Sequence, residues 1–252
     1  MGALAVILAR SGSKGVPGKN VAPVAGRPCI AWTIDDAKRA QTVSRIVVST
    51  DGEEIARVAR SAGVEVVMRP PELASDTARV DDAARHAALE AERTGTPGDP
   101  IVILYANVPV RPEGLIDRTV RMLLDTTADS AQSFAPVGKH HPWWTARVDG
   151  ATGALRPWEG LTLNHGVFRR QDLPPAFVPD GGSLAVSRRA LFLQVSGVAA
   201  GPHAFFGSDR RGVVTGEGEV VDIDTEIDLL VADAMLQRRK PSPIGSIGRK
   251  SA

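Results

Sequence analysis

Cysteine is almost absent from this chain of 252 residues, because Cys29 is its single cysteine. One thiol cannot form an internal disulfide framework, and it cannot by itself supply a cysteine-ligated metal site. An excess of one charge is absent as well: 30 Lys and Arg face 29 Asp and Glu, which gives a formal net charge of +1. Nucleic-acid binders usually carry a basic excess, so we predict no nucleic-acid partner, although a local basic pocket for a phosphate remains open.

Long apolar runs are missing too. No segment approaches the roughly 20 apolar residues that span a bilayer, so we predict no membrane partner. The first residues, MGALAVILARSGSKG, carry no basic stretch ahead of their short apolar run, and no secretory signal is therefore expected. Hydrophobic residues make up 43% and charged residues 23% of the chain, which are ordinary values for a globular protein. We expect a cytoplasmic protein.

What the chain does contain is an alternation of short apolar runs with amphipathic segments, the pattern typical of successive βαβ units. Strands are predicted at ALAVILA, RIVVST, VEVVM and PIVILYAN. Helices are predicted over residues 29–40, 53–63, 80–95 and 114–127. The sequence thus predicts an α/β fold with a doubly wound, mainly parallel, Rossmann-like sheet.

The pattern is interrupted between about residues 129 and 187, where Pro, Gly, Trp and His are frequent and only short strands are predicted. Such an interruption is typical of an excursion over the sheet edge that serves an active site or a dimer contact. The pattern resumes with VVDID and a helix over 225–239. We predict one domain over residues 1–238, followed by a mobile Pro/Gly/Ser-rich tail over 239–252.

The loop ARSGSKGVPGKN follows the first strand, and the carboxyl end of a strand is where open α/β sheets bind their ligands. Its three glycines would allow the backbone to approach an anion, and Arg10, Lys14 and Lys19 supply positive charge that suits a triphosphate. The spacing of the glycines matches neither the Walker A loop nor the dinucleotide-binding GxGxxG pattern. The alternative is a flexible, solvated basic loop.

Asp222 and Asp224 lie two positions apart in an extended segment, so both carboxylates should leave the same face. Two like charges at that separation are unfavourable unless a cation lies between them, and Mg²⁺ commonly takes one or two carboxylates together with substrate phosphates. The pair therefore suggests a magnesium site. The alternative is that Asp224 or Thr225 only caps the helix that follows.

Five blocks of sequence carry a resemblance to a known family. In chain order they are VILARSGSKGVPGKN, IVVSTDGEEIARVA, VEVVMRPPELASDTA, RRQDLPPAF and VVDIDTEIDLLVAD. Together they resemble the acylneuraminate cytidylyltransferases, or CMP-sialic acid synthetases, over the chain to about residue 238. The resemblance implies a fold of the nucleotide-diphospho-sugar transferase type and a Mg²⁺-dependent reaction in which CTP and a nine-carbon 2-keto acid sugar give the CMP-sugar and pyrophosphate. It also implies a homodimer whose central excursion reaches the partner's active site.

The resemblance further assigns roles to individual residues. Arg10, Lys19, Asp222 and Asp224 would be catalytic, with Arg10 stabilising charge at the α-phosphate and the two aspartates holding Mg²⁺ while one takes the proton of the attacking hydroxyl. The nucleotide would be bound by Ala9, Arg10, Ser11, Gly12, Ser13, Lys19, Asn20, Arg69 and Ala78, with Arg69 at the base. The acceptor sugar would be bound by Tyr105, Arg170 and Asp180.

At several positions the chain departs from the family pattern. Val80 replaces a serine that helps to read cytosine, and Tyr105 replaces a glutamine that faces the sugar. Further acceptor-side changes are Trp144 for lysine, Val178 for arginine, Asp180 for asparagine and Leu184 for tyrosine. Two alternatives therefore stand beside the leading interpretation: the same fold acting on another nucleotide or acceptor acid, and a non-catalytic nucleotide-binding protein.

Three other features are given structural interpretations. Asp51 ends a strand and is predicted to cap the following helix rather than to bind a metal. His140 and His141 are adjacent, so their side chains should diverge and are not expected to share a metal. Cys29 is predicted to be an inert core residue.

Overall fold

The sheet is built around β1, whose seven residues are all buried. The computed structural model describes residues 2–12 and 15–239. The strands are β1 (Ala3–Ala9), β2 (Pro23–Val24), β3 (Arg27–Pro28), β4 (Val43–Thr50), β5 (Glu65–Met68), β6 (Ile101–Tyr105), β7 (Ser130–Pro136), β8 (Ala146–Val148), β9 (Leu155–Pro157), β10 (Phe177–Val186) and β11 (Arg210–Val214). The α-helices are α1 (Cys29–Arg39), α2 (Glu53–Ser61), α3 (Val80–Thr94), α4 (Leu115–Thr126), α5 (Arg188–Leu191) and α6 (Glu226–Arg238).

Seven strands form one mixed sheet in the order β11-β7-β10-β6-β1-β4-β5. The pairs β1–β4, β1–β6, β4–β5 and β7–β11 are parallel, whereas β10 runs antiparallel to both of its neighbours. This arrangement confirms the predicted mainly parallel α/β fold.

The two faces of the sheet bury different side chains of β1, as the two-residue period of a strand requires. Ala3, Ala5, Ile7 and Ala9 pack with residues of α1 and α4 on one face. Leu4, Val6 and Leu8 pack on the other face against five alanines of α3. Because alanine is small, α3 can lie close to the sheet. The helices therefore cover both faces, as predicted for a doubly wound sheet.

The structure corrects the prediction at two strands. The segment VVDID does not form a strand of the main sheet: it makes one isolated bridge, between Val110 and Val221. The strand β11 was not predicted, because its sequence RRGVV opens with two arginines, both exposed at the sheet edge.

The predicted excursion over 129–187 is narrower in the structure than in the sequence pattern. Its two ends are β7 and β10, which belong to the main sheet, so the part outside the sheet spans residues 137–176. That part contains the hairpin of β8 and β9 together with short 3₁₀ turns.

Two remaining predictions concern the tail after residue 238 and the absence of a membrane-spanning segment. The proposed mobile tail lies, apart from its first residue, outside the described residues. Among residues 2–12 and 15–239, no helix combines the length and apolar character needed to cross a membrane.

Candidate active site

A cleft of about 280 Å³ opens at the carboxyl ends of β1 and β6, between the loop after β1 and the segment before α3. Of the predicted nucleotide-binding residues, Arg10, Lys19, Asn20, Arg69 and Ala78 line this cleft. The structure thus brings together residues that are separated by almost 70 positions in the sequence. The position of the cleft at the strand ends is the one expected for a ligand in an open α/β sheet.

The other predicted nucleotide-binding residues lie beside the cleft or beyond description. Ala9 is buried at the end of β1, with 1% of its surface exposed. Ser11 and Gly12 are exposed in the loop that follows. Ser13 lies outside the described residues, as does Lys14.

Lys19 joins the loop to the acidic segment near the end of the chain. Its Nζ donates to Asp224 Oδ1 at 2.7 Å and to the carbonyl oxygen of Ile223 at 2.9 Å. The loop passes so close to this segment that a Cβ on Gly15 would lie 2.2 Å from the Asp224 carbonyl oxygen. Only glycine fits at that position, which gives one of the loop glycines a steric role.

Asp222 faces the same region as Asp224. Ile223 between them is fully buried, as expected when alternate side chains of an extended segment leave opposite faces. Asn107, at the carboxyl end of β6, donates its side-chain amide to Asp222 Oδ1. Burial, reinforced by the negative charge of Asp224, raises the pKa of Asp222 to about 6. The capping role falls to Thr225, which forms a capping box with Asp228, so the Asp224 carboxylate is not used as a helix cap.

The donor set at this place suits a magnesium ion held jointly with phosphates. Within the described part of the chain, no group of three or more His, Cys, Asp or Glu side chains is arranged to hold a metal. Two carboxylates are nevertheless sufficient for Mg²⁺ when phosphate oxygens and water complete its shell. Burial is the main cause of the raised pKa of Asp222 and the charge of Asp224 is the second, and a bound cation would oppose both by favouring the charged carboxylates.

Asp51 anchors the start of the loop instead of capping α2. The helix cap is Gly52, and it makes no side-chain capping bond. Asp51 accepts the backbone N–H of Ser11 at 2.7 Å and the Ser11 hydroxyl at 2.6 Å. Although burial alone would raise the pKa of Asp51, the bonds from Ser11, together with the charge of Arg69, lower it below its ordinary value. The capping prediction is therefore wrong.

Arg69 lines one wall of the cleft and is held by β4. Its Nε donates to Ser49 Oγ and its Nη2 to the Ser49 carbonyl oxygen, both at 2.8 Å. Burial lowers the pKa of Arg69 to about 10, so the group remains a cation at neutral pH. Ala78 and Val80 lie along the same wall. Arg10 crosses towards that wall and donates to Asp76 Oδ1 at 2.7 Å.

The predicted acceptor-binding residues are not brought together to the same extent. Tyr105 lines the cleft, and burial raises the pKa of its hydroxyl. Arg170 is exposed and pairs with Glu217. Asp180 accepts hydrogen bonds from Ser133 and the Gly182 N–H at one oxygen and from Thr215 at the other. Their roles towards a sugar stay predictions.

The positions that depart from the family pattern have varied surroundings. Trp144 donates its indole N–H to the Val167 carbonyl oxygen at 2.9 Å. Leu184 is a core residue with 3% exposure, and Val178 is about half exposed. His141 is buried and accepts from the Trp143 N–H, whereas His140 is exposed.

Sequence reasoning missed three polar residues at or below the cleft: Asp76, Asn107 and Arg111. A polar residue directly after an apolar strand was a usable signal for Asn107. Asp76 and Arg111 carried no such signal, since their roles depend on partners that are distant in sequence.

Comparison with known proteins places the chain in a family. The profile described as cytidylyltransferase matches residues 4–148, which is more than half of the chain and includes every residue that lines the cleft, but not Asp222 and Asp224 beside it. The chain belongs to the cytidylyltransferase family. The resemblance found in the sequence blocks is thereby confirmed at the level of this family of nucleotide-transferring enzymes.

Two relatives in the cytidylyltransferase family are named for acidic sugars. The chain is 30% identical over 229 residues to N-acylneuraminate cytidylyltransferase of Streptococcus agalactiae, an alignment that covers 90% of this chain and 51% of the relative. It is 28% identical over 236 residues to CMP-N,N'-diacetyllegionaminic acid synthase of Legionella pneumophila, which covers 93% of this chain and 96% of the relative. The chain spans about half the length of several of the curated relatives that it matches.

A solved structure shares the fold. CMP:2-keto-3-deoxy-manno-octonic acid synthetase in complex with CTP superimposes with a TM-score of 0.67 at 17% identity, covering 94% of this chain and 98% of that one. At this identity the match supports the fold alone, and it confirms the predicted fold type.

Proposed function

We propose that this cytidylyltransferase transfers CMP from CTP to an acidic 2-keto sugar of the sialic acid class, with release of pyrophosphate and with dependence on Mg²⁺. The observation that carries the proposal is the convergence of Arg10, Lys19 and Arg69 on one cleft beside the carboxylates of Asp222 and Asp224. Three cations suit a triphosphate and its base, and the two carboxylates suit the cation that accompanies it.

In the proposed reaction, the anomeric hydroxyl oxygen of the sugar attacks the α-phosphorus of CTP. A new P–O bond forms, the bond from the α-phosphorus to the bridging oxygen breaks, and pyrophosphate leaves with that electron pair. The proton of the hydroxyl passes to one of the two aspartates. Arg10 and Lys19 neutralise charge that grows on the phosphates, which is the main protein contribution to phosphoryl-type transfer. Mg²⁺, held by Asp222 and Asp224, would supply further charge neutralisation.

The apolar wall next to Arg69 bears on nucleotide choice. Val80 is about one-third exposed at the start of α3, and Leu73 and Ala83 lie near it. Such a wall offers surface to pack against a base but no side-chain hydrogen bond. Recognition of the base then depends on Arg69 and on backbone groups near Ala78. Because the apolar wall itself does not select cytosine, the second candidate function is the same transfer from another nucleotide.

The acceptor is the other open choice. The relatives are named for N-acylneuraminate and for N,N'-diacetyllegionaminic acid, and in this chain Arg170 and Asp180 are already engaged with protein groups. We therefore propose an acceptor of this class other than N-acetylneuraminate itself.

The excursion supports a homodimer. Its large exposed apolar side chains are Val148, Leu155, Trp158, Leu161, Leu163 and Phe168, the last with 84% of its surface exposed. An apolar patch of this kind is typical of an interface, and tryptophan is enriched there. We propose that a second copy covers it. Light scattering at micromolar concentration should give twice the mass of the chain; a monomer mass would contradict the shared-site arrangement.

The first experiment is thermal unfolding with CTP, GTP, UTP or ATP, each with and without Mg²⁺. A ligand at 100 times its dissociation constant stabilises by about 2.7 kcal/mol, which is several degrees for a chain of this size. We expect the largest shift for CTP with Mg²⁺. Equal shifts for all four nucleotides would remove the proposed base reading, and no shift would remove the proposed nucleotide site.

The second experiment measures pyrophosphate release with CTP and a panel of acidic keto sugars that includes N-acetylneuraminate, a diacetylated legionaminic acid and a 3-deoxy-octulosonate. Asp224→Asn should abolish turnover while thermal unfolding stays close to wild type, because the Asp224 side chain is 71% exposed. Nucleotide binding without release for every sugar would favour the non-catalytic alternative.

A further inference from the structure

Arg111 lies beneath the cleft with only 2% of its surface exposed. Its Nε donates to the Gly182 carbonyl oxygen at 2.6 Å, and its Nη2 donates to the Tyr105 carbonyl oxygen at 3.0 Å. Its Nη1 donates to Thr33 Oγ1 at 2.9 Å and also to the Val108 carbonyl oxygen. One guanidinium therefore bonds to three carbonyl groups and joins α1, β10 and the end of β6.

These bonds need an arginine and not merely a buried cation. The five N–H groups of a guanidinium lie in one plane and point in fixed directions, whereas a lysine offers a single nitrogen. The carboxylate of Asp36, with Oδ2 3.6 Å from Nη1, balances the buried charge, whereas the short directed hydrogen bonds go to Thr33 and to backbone carbonyl groups. A buried cation is unfavourable unless its donors are satisfied, and here the backbone satisfies them.

Two of the three carbonyl groups that Arg111 binds, those of Tyr105 and Val108, belong to residues 105–110 at the end of β6 and the turn after it. This turn carries the acidic segment. The Val221 N–H donates to the Val110 carbonyl oxygen at 3.2 Å, and the Ile223 N–H donates to the Asn107 carbonyl oxygen at 2.9 Å. The Asn107 side chain donates to Asp222 Oδ1 and to the Ile223 carbonyl oxygen.

A second contact leads from Arg111 to the same carboxylate. Gly182, whose carbonyl accepts from Arg111, follows Gly181, and a Cβ on Gly181 would lie 3.4 Å from Asp222 Oδ2. The Asp222 side chain thus rests between two backbone segments, and one buried guanidinium fixes both of them. Arg111 itself does not line the cleft.

We propose that Arg111 is a positioning residue for nucleotidyl transfer: it fixes the turn after β6 and, through Asn107 and Gly181, places Asp222 and Asp224 against Lys19. This inference rests on the proposed function. A purely structural role would weaken the whole fold, whereas this proposal limits the effect of Arg111 to the positions of the two carboxylates. Nucleotide binding should be unaffected, because Arg10 and Arg69 lie on other elements.

Arg111→Lys tests the proposal, because it keeps the charge and removes the planar set of donors. Loss of an outer residue that orients a ligating group typically costs 10- to 100-fold. We expect kcat for pyrophosphate release to fall by about that factor, while KM for CTP stays within about twofold. Arg118→Lys is the matched control, since Arg118 is exposed at the start of α4, outside the cleft, and should leave both constants unchanged.

A readout that does not need turnover separates this inference from the proposed function. Amide hydrogen exchange should be faster in a peptide covering residues 219–225 of Arg111→Lys, because Val221 and Ile223 donate to the turn that the guanidinium holds. Exchange in β4 and α2 should match wild type. If the wild-type chain turns over none of the sugars, the proposed function fails while the exchange result still decides the positioning role.

Thr33→Val provides a second variant in case Arg111→Lys does not fold. It removes one acceptor of the guanidinium and a donor to the Val108 carbonyl oxygen, and it nearly conserves volume. We expect the same pattern at smaller amplitude: faster exchange over 219–225 and a several-fold loss of kcat at constant KM. Unchanged exchange in that peptide, or a loss of activity that appears only as a raised KM for CTP, would overturn the proposal.

Discussion

Replacement of Asp51 separates two effects that the structure places on one side chain. The carboxylate accepts two hydrogen bonds from Ser11, at 2.6 and 2.7 Å, and it also puts a negative charge close to a site proposed for a polyanion. The hydrogen bonds hold the start of the loop in place before a nucleotide binds, whereas the charge opposes the nucleotide. Asp51→Ala removes both effects, and Asp51→Asn removes chiefly the charge.

The expected changes in the dissociation constant for CTP follow from the exposure of Ser11. Each hydrogen bond contributes about 1 kcal/mol net, and water can replace part of it because Ser11 is exposed. Compared with Asp51→Asn, which lacks the charge as well, Asp51→Ala should therefore cost about 1–2 kcal/mol of preorganisation, which corresponds to a roughly 5- to 30-fold higher dissociation constant for CTP. Asp51→Asn can still accept from the Ser11 N–H and donate to its hydroxyl, so its dissociation constant should equal that of wild type or fall below it.

Isothermal titration calorimetry with CTP and Mg²⁺ measures both constants, with thermal unfolding as the control for folding. Because the pKa of Asp51 is lowered in the folded chain, its contribution is present above the ordinary pKa of about 4 and is lost only as pH falls through the lower folded value. The contribution of the Asp51 carboxylate to the difference between wild type and each variant should thus be constant from pH 6 to 8. Equal dissociation constants for Asp51→Asn and Asp51→Ala would refute the anchoring argument.

Two further predictions concern other carboxylates. Asp76→Asn should bind CTP up to a few-fold more tightly in the same calorimetric assay, because Asp76 competes with the nucleotide for Arg10. The ion pair between Arg10 and Asp76 is exposed, so it is worth at most about 1 kcal/mol. Weaker binding by the variant would show instead that Asp76 orients Arg10 towards the nucleotide. Asp129→Asn should lower the free energy of unfolding in urea by about 1.5–3 kcal/mol at pH 7, because the carboxylate, 1% exposed, accepts from Ser208 and Asp209. Burial opposes ionisation of Asp129, but these bonds hold its pKa below the ordinary value, so the difference from wild type should shrink as pH falls below about 4; a constant difference would contradict this.

The central strands were predictable because each is a short apolar run that is buried on both faces. The two clusters around β1 follow directly from the alternation of ALAVILA between the faces. The strand β11 escaped prediction because its two arginines are exposed at an edge, where no apolar pattern is needed. VVDID has the composition of a strand, but it lies across the strand ends, where only one bridge can form.

The candidate site was predictable as far as local pattern reaches. The loop cations and the aspartate pair stand out by composition and spacing. The hydrogen-bond partners of site residues are not visible in the sequence. The Asp51 carboxylate accepts from Ser11, 40 positions away, although its position just before a helix favoured a capping role. Arg111 resembles any basic residue ahead of a helix, and its burial depends on three backbone carbonyls whose positions only the folded sheet determines.

The ion pair between Lys19 and Asp224 joins residues that are 205 positions apart. A ribosome adding about 5–20 residues per second needs roughly 10–40 s to travel between them. During that time the loop and Arg69 can already fold on the first strands, but the two carboxylates do not yet exist. The carboxylates beside the cleft are therefore added long after its cations, and a chain that ends before residue 222 should retain the cations without the adjacent carboxylates.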